Sequence, residues 1–310
     1  MTIQDELLKI LVPHFEEYQR QGQDEEYSLS LDASATKLKT KIASLELTLG
    51  VENLTLEGNK GKGKKGKTNQ EQPPPSSSEV EEELGKVLVQ FIDATVASDA
   101  TSDLADPVDR VLSLIAAFGV AYSMDVASMI LGRAVEYSTV LLERVRGHAC
   151  ILLGKIATAL MKQRKKATTN KDGGNTDDQD FAEESLDIVL ESLIPRLQDK
   201  SQSVRCHAIG ASGAFFEASN DNAVETYEAL LEAMLWNLVH DPSVSNRITA
   251  VQSVPIHPTA TMDYLIDRVR DVKAKVRVEA LEVLRKKAFS ITEMTEGQLV
   301  QLIQSGFTNR

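Results

Sequence analysis

Cysteine is nearly absent. Cys150 and Cys206 are the only two in the chain, and both sit in helix-like apolar segments, which excludes a disulfide framework and points to a reducing compartment such as cytosol or nucleus. Aromatic residues make up 5% of the chain, with a single tryptophan, too few for a platform that stacks bases. Long hydrophobic runs are missing as well. The longest nearly apolar stretch, Val111 to Met124, is too short and too interrupted by serine to span a bilayer, and Met1-Thr-Ile-Gln-Asp-Glu has no cationic segment leading into an apolar one. Positive charge is the minority sign, 34 lysines and arginines against 46 acidic residues for a net −12. That excludes a generally basic nucleic-acid coat and leaves room for a local patch. What remains is 310 residues with 42% hydrophobic content, enough for one large core or two domains and too much for a disordered chain.

Composition divides the chain into three. Residues 1–56 form an N-terminal segment. Its first 20 residues read as an amphipathic helix with Ile3, Leu7, Leu8, Ile10 and Leu11 on one side, until Pro13 interrupts it. Over 44–56, Leu45, Leu47, Leu49 and Val51 alternate with polar residues or glycine, the period-two signal of a half-buried strand or hairpin. Residues 57–80 are a low-complexity linker of Gly, Lys, Pro and Ser, which cannot bury a core. Residues 81–310 then repeat apolar residues three and four apart, as in Leu84, Val87, Leu88, Phe91 and Ile92. The polar stretch 163–180, with Asn170-Lys-Asp-Gly-Gly-Asn, reads as a flexible loop inserted between helices.

The informative feature is self-similarity. An apolar helix ends in an aspartate, a short turn follows, and an arginine stands six residues after the aspartate. The unit occurs as Asp199 with Arg205, Asp241 with Arg247, and Asp271 with Arg277. Spacings of 42 and then 30 residues suit stacked helical hairpins, the second implying one abbreviated repeat. A fourth unit begins with Leu299, Leu302, Ile303 and Phe307, with Asn309 where the aspartate would stand. The expected fold is all-α, an α-solenoid of HEAT-like hairpins in which each pair covers the apolar side of its neighbour. The aspartate is suited to accept from the free amides opening the second helix, and the arginine to pair with an aspartate of its own or the next repeat. On that reading Asp199, Asp241 and Asp271 form a structural ladder, its partly exposed pairs worth about 0 to 1 kcal/mol each.

In running sequence these blocks resemble the HEAT-repeat subunit of condensin, subunit 3. The similarity is carried by Leu193-Ile-Pro-Arg-Leu-Gln-Asp-Lys-Ser-Gln-Ser-Val-Arg205, Asp241-Pro-Ser-Val-Ser-Asn-Arg-Ile-Thr-Ala-Val251, Asp267-Arg-Val-Arg-Asp-Val-Lys-Ala-Lys-Val-Arg277 and Leu302-Ile-Gln-Ser-Gly-Phe-Thr-Asn-Arg310, with weaker likeness at Asp106 to Leu112 and Arg144 to Arg146. The resemblance implies a non-catalytic subunit that binds a kleisin, and through it SMC subunits, grips duplex DNA without sequence preference and serves mitotic chromosome condensation. It implies a nuclear, chromosomal location, cytoplasmic outside mitosis. Its DNA contacts would fall among Arg110, Arg144, Arg146, Arg205, Arg247, Lys273, Lys275 and Arg277. Asp103-Leu-Ala-Asp106 stands where the family tends to carry basic residues, which weakens the contact expected near Arg110. The family's array runs further, so this one is expected to be cut short. The competing reading is a HEAT scaffold for proteins alone, of the importin or phosphatase-scaffold kind, which the acidic balance favours.

No motif demands a cofactor. Gly61-Lys-Gly-Lys-Lys-Gly-Lys-Thr68 has the spacing of a phosphate-binding loop, but three prolines follow Lys67 within eight residues, where the required helix would start. Lys60, Lys62, Lys64, Lys65 and Lys67 read better as a mobile basic arm, an import signal or a phosphate contact; Lys162, Arg164, Lys165 and Lys166 form a second basic tract. The five histidines have no metal-ligand spacing, and neither cysteine has a cysteine neighbour. Asp172, Asp177, Asp178 and Asp180 lack the alternation of a calcium loop. The chain is read as a non-enzyme without metal or cofactor.

Overall fold

The computed structural model describes residues 2–21, 31–49, 76–97, 107–169, 176–219, 223–286 and 294–308, and no strand occurs among them. The elements are α1 (Ile3–Gln21), α2 (Leu31–Leu49), α3 (Ser77–Ala97), α4 (Pro107–Tyr122), α5 (Met124–Ser138), α6 (Glu143–Thr169), α7 (Thr176–Arg196), α8 (Gln202–Ala218), α9 (Ala223–Thr226), α10 (Glu228–His240), α11 (Val244–Ser253), α12 (Met262–Arg268), α13 (Ala274–Lys286) and α14 (Glu296–Thr308). They fall into two compact units, Met1–Ala94 with Ser102–Ile130, and Thr95–Thr101 with Leu131–Arg310.

In the first unit α1, α2 and α4 pack on one another. Helix α1 buries Leu7, Leu11, Phe15 and Tyr18, and α2 buries Ala35, Leu38, Ile42 and Leu45, both at helical spacing. Two expectations are corrected here. Pro13 does not end α1: its ring lies on the exposed side, where water can satisfy the carbonyl that loses its partner. Residues 44–49 are helical, because the buried stripe of α2 begins upstream at Ala35 and outweighs the local alternation; residues 50–56 lie outside the described residues. Helix α3 starts at Ser77, within the stretch read as linker. The Ser76 hydroxyl accepts from the Glu79 amide at 3.2 Å while the Glu79 carboxylate accepts from the Ser76 amide at 2.8 Å, a reciprocal cap that opens a helix in an otherwise loop-like sequence. The Phe15 and Phe91 rings then stack 4.9 Å apart.

The second unit is a two-layered α-solenoid. One layer holds the first helices of successive hairpins, with α7 against α10, α10 against α12 and α12 against α14. The other holds the second helices, with α6 against α8, α8 against α11 and α11 against α13. Buried apolar residues between the layers, among them Leu186, Val189 and Leu193 of α7 and Ile209 and Phe215 of α8, supply the core. The abbreviated repeat has a physical form: α12 is 7 residues long, and the turn before it is fixed by Thr261, whose hydroxyl accepts from the His257 amide and donates to the Pro255 carbonyl. Helix reaches into both ends of the stretch 163–180 read as an inserted loop, whose residues 170–175 lie outside the described residues. Helix α6 continues to Thr169 and α7 starts at Thr176. Lysine, glutamine and arginine are good helix formers, and acidic residues suit a helix start, so the polar composition hid two helix ends.

Candidate nucleic-acid interface

The turn between the helices of each hairpin carries the aspartate and arginine, and the geometry links the turns in series. Arg146 on α6 donates from Nε and Nη2 to Asp199 at 2.9 and 3.0 Å. Arg205 on α8 reaches Asp241 in the same fork, at 2.7 and 3.2 Å. Arg247 on α11 reaches Asp271 at 2.9 and 3.1 Å. The remaining guanidinium nitrogen of each closes its own turn: Nη1 of Arg146 donates to the carbonyls of Val140 and Leu141, that of Arg205 to Asp199 and Lys200, that of Arg247 to Asp241. Each aspartate also accepts from the amide two residues on, Ser201, Ser243 or Lys273, at 2.8 to 2.9 Å. Every arginine therefore binds its own corner and the next one. The pairs are buried, with side-chain exposures of 6% and 4%, 11% and 0%, and 9% and 3%, so the small value expected for exposed pairs does not apply.

Two asparagines that the sequence pattern did not single out strengthen the links. Asn237, fully buried, donates to the Leu197 carbonyl of the preceding turn at 3.0 Å, and Asn246 donates to both Gln202 and Asp241. Asn246 occupies the position held by Val204 and Val276 in the other turns, so its replacement of an apolar residue was the available signal.

Burial alone would raise the carboxyl pKa of Asp199, Asp241 and Asp271. The hydrogen bonds from Arg146, Arg205 and Arg247, with those from the following amides, outweigh it and hold all three below the ordinary 3.8. A carboxyl whose folded value lies below its unfolded one contributes stability that is complete above the unfolded value and lost as pH falls through the folded one. Urea midpoints measured on acidification should therefore hold steady down to about 3.8 and drop below it. A midpoint that stays level through that window would show that the ladder carries no such linkage.

The arginines expected to meet DNA are placed unequally. Arg146, Arg205 and Arg247 have their guanidinium groups enclosed in the ladder, with every nitrogen donating to a carboxylate or carbonyl of the corners. Arg110 donates to the Tyr18 carbonyl at 2.8 Å and lies 4.8 Å over the Tyr18 ring. Arg144 donates to the Ala97 carbonyl at 3.0 Å, and Arg277 to the Asp271 carbonyl at 3.0 Å. Lys273 and Lys275 are exposed, in the turn before α13 and on its first residues. Arg270, on the same corner, and Lys200, on the corner between α7 and α8, are exposed as well and were not anticipated. Lys60, Lys62, Lys64, Lys65 and Lys67 lie outside the described residues; Lys162 and Lys165 are exposed at the end of α6, and Arg164 pairs with Glu183 at 2.7 Å.

Charge follows the layers. On α7 the described acidic residues Asp180, Glu183, Glu184, Asp187 and Glu191 face a single basic one, Arg196, and α10 adds Glu228 and Glu232. Helix α6 reverses the balance, with Glu143 against Arg144, Arg146, Lys155, Lys162, Arg164 and Lys165. Among the described residues no group of three or more His, Cys, Asp or Glu is placed to hold a metal, and no helix is long and apolar enough to cross a membrane. Cys150 is buried, and that burial pushes its thiol up to about 12; such a thiol packs and does not attack.

These features define a HEAT-type array, a scaffold whose polar machinery holds repeat to repeat. The model of the sister chromatid cohesion protein PDS5 family matches residues 139–295, from the corner before α6 to the start of the last hairpin, and the chain belongs to that family of chromosome-associated HEAT-repeat proteins. No curated protein matches the chain. Among solved structures, two engineered proteins from the Northeast Structural Genomics Consortium are similar at 14% identity. One has a TM-score of 0.35 and covers 75% of this chain and 93% of its own. The other has a TM-score of 0.32 and covers 99% of this chain and 82% of its own.

Proposed function

We propose that this chain is a non-catalytic, chromosome-bound scaffold that engages the kleisin of an SMC complex and touches the backbone of duplex DNA, acting in the nucleus. The observation that carries the proposal is the division of charge within an array of this family: acidic first helices, basic corners and a basic α6. Phosphates are attracted to Lys200, Arg270, Lys273 and Lys275 and repelled by the opposite layer, so DNA contact is confined to one side and reads no sequence. The finer assignment, a condensin subunit 3 serving chromosome condensation, rests on the running likeness of the turn blocks.

A labelled short duplex titrated at two salt concentrations, with and without a kleisin peptide, tests this. Binding should weaken with salt, and changing Lys200, Arg270, Lys273 and Lys275 to glutamate should lower the log–log salt slope by about 1 for each phosphate no longer neutralised. Absent or salt-insensitive binding in both arms would leave the second reading, a scaffold for proteins alone, which the acidic first-helix layer favours.

A further inference from the structure

The second unit has a groove on its acidic layer that the DNA reading leaves unused. Helix α10 presents Glu228, Leu231, Glu232, Leu235, Trp236 and Val239 at positions three and four apart, so all six lie along one face. Tyr264 of α12 and the turn carrying His257 form the opposite wall, and the space between measures about 650 Å³. Trp236, the only tryptophan in the chain, is 48% exposed and Tyr264 43%. Two large aromatics left half in water beside a run of leucine and valine are unusual for a monomer surface and typical of binding anchors.

Charge selects the occupant. Glu225, Glu228 and Glu232 rim the groove. The Glu225 carboxylate lies 3.7 Å from the His257 imidazole, and Glu228 and Glu232 have no lysine or arginine partner among the described residues. Nucleic acid and acidic peptides are repelled, and a second copy would have to bring one acidic layer against another. A segment that alternates bulky apolar side chains with lysine or arginine satisfies both features at once: the apolar groups cover Leu235, Val239 and the rings, and the cations meet the carboxylates and the aromatic faces.

We infer that the α10–α12 groove is a docking site for a short cationic, apolar-anchored peptide segment of a partner protein. None of Lys200, Arg270, Lys273 and Lys275 lines the groove, so it can hold a partner while DNA occupies the corners.

Trp236 supplies the reporter. A synthetic peptide alternating phenylalanine or leucine with lysine and arginine should change Trp236 emission saturably, whereas its charge-reversed counterpart, with glutamate in place of the cations, and duplex DNA should not. The double variant Glu228→Lys/Glu232→Lys should bind the cationic peptide about tenfold more weakly or worse. The same variant should gain affinity for the charge-reversed peptide, a gain that misfolding cannot produce. The inference is overturned if no saturable response occurs, if both peptides bind alike, if the variant binds as the parent does, or if Trp236 responds to protein concentration alone with dimers in sedimentation. DNA affinity at the corners should not fall in the variant, which removes no corner cation, so failure here and failure of the DNA reading are told apart.

Discussion

Replacing Asp241 with alanine is expected to lower the unfolding free energy by about 3 to 5 kcal/mol. Its carboxylate is fully buried and accepts from Arg205, from Asn246 and from the Ser243 amide. Removing it strands a guanidinium whose other acceptors among the described residues are the Asp199 and Lys200 carbonyls, and orphans an amide that opens α11. Urea unfolding measures the loss, with Glu232→Ala as an exposed control that should stay within about 0.5 kcal/mol of the parent. A loss below about 1 kcal/mol for Asp241→Ala would mean that the ladder is decoration.

The pair Arg205–Asp241 also differs from an ordinary buried ion pair in how it responds to double replacement. Exchanging both partners for apolar residues is often neutral when their only job is to neutralise each other. Here each partner has a second duty toward backbone groups of its own turn. A joint Arg205→Met/Asp241→Leu variant should therefore remain destabilised, since the Asp199 carbonyl and the Ser243 amide are left without their side-chain partners. In an array where each repeat touches only its neighbours, the damage should concentrate in hydrogen exchange of α8 and α11.

The ladder was legible because a short acid and an arginine six residues apart have a fixed mechanical sense in a helix–turn–helix corner. Its burial was not, since the spacing says nothing of how closely adjacent corners approach. That difference encloses the guanidinium groups of Arg146, Arg205 and Arg247, whereas Lys273 and Lys275, with Lys200 and Arg270, stand exposed. The same mechanics explain why the blocks that resemble condensin subunit 3 include the three corners, all within the residues 139–295 matched by the PDS5 family: these blocks hold any such array together and so carry architecture more than partner choice. The misread elements share one cause. Around Leu45 to Leu49, Pro13 and Gln163 to Asp180, a local pattern in a short window ran against the longer stripe or cap that decides the helix. The Ser76–Glu79 cap was in the sequence as a serine followed three residues later by a glutamate, masked by the prolines before it.

Gly154→Val should destabilise the second unit by about 3 kcal/mol, through geometry that no pairing pattern reveals. Helices α6 and α8 approach so closely at this point that an added Cβ would lie 2.7 Å from the Ala211 Cβ and 2.9 Å from its Cα. Backbone cannot swing aside as a side-chain tip can, so the helices must part and loosen the packing along their seam. Valine recovers little of the helix propensity that glycine lacks, about 0.3 kcal/mol, too small to offset the strain. Gly210 on α8 has nothing within 4 Å of an added Cβ, so Gly210→Val should be near neutral. Gly147 is the intermediate case: its clash is with the His207 ring nitrogen at 2.6 Å, a side chain able to give way, and Gly147→Val should cost less than Gly154→Val. The order of the three urea midpoints checks the argument, and equal losses at Gly154 and Gly210 would refute it. Because the close approach belongs to the layer on which the arginines sit, widening it should also stretch the Arg146–Asp199 fork, so Gly154→Val and Asp199→Ala should combine to less than the sum of their separate losses.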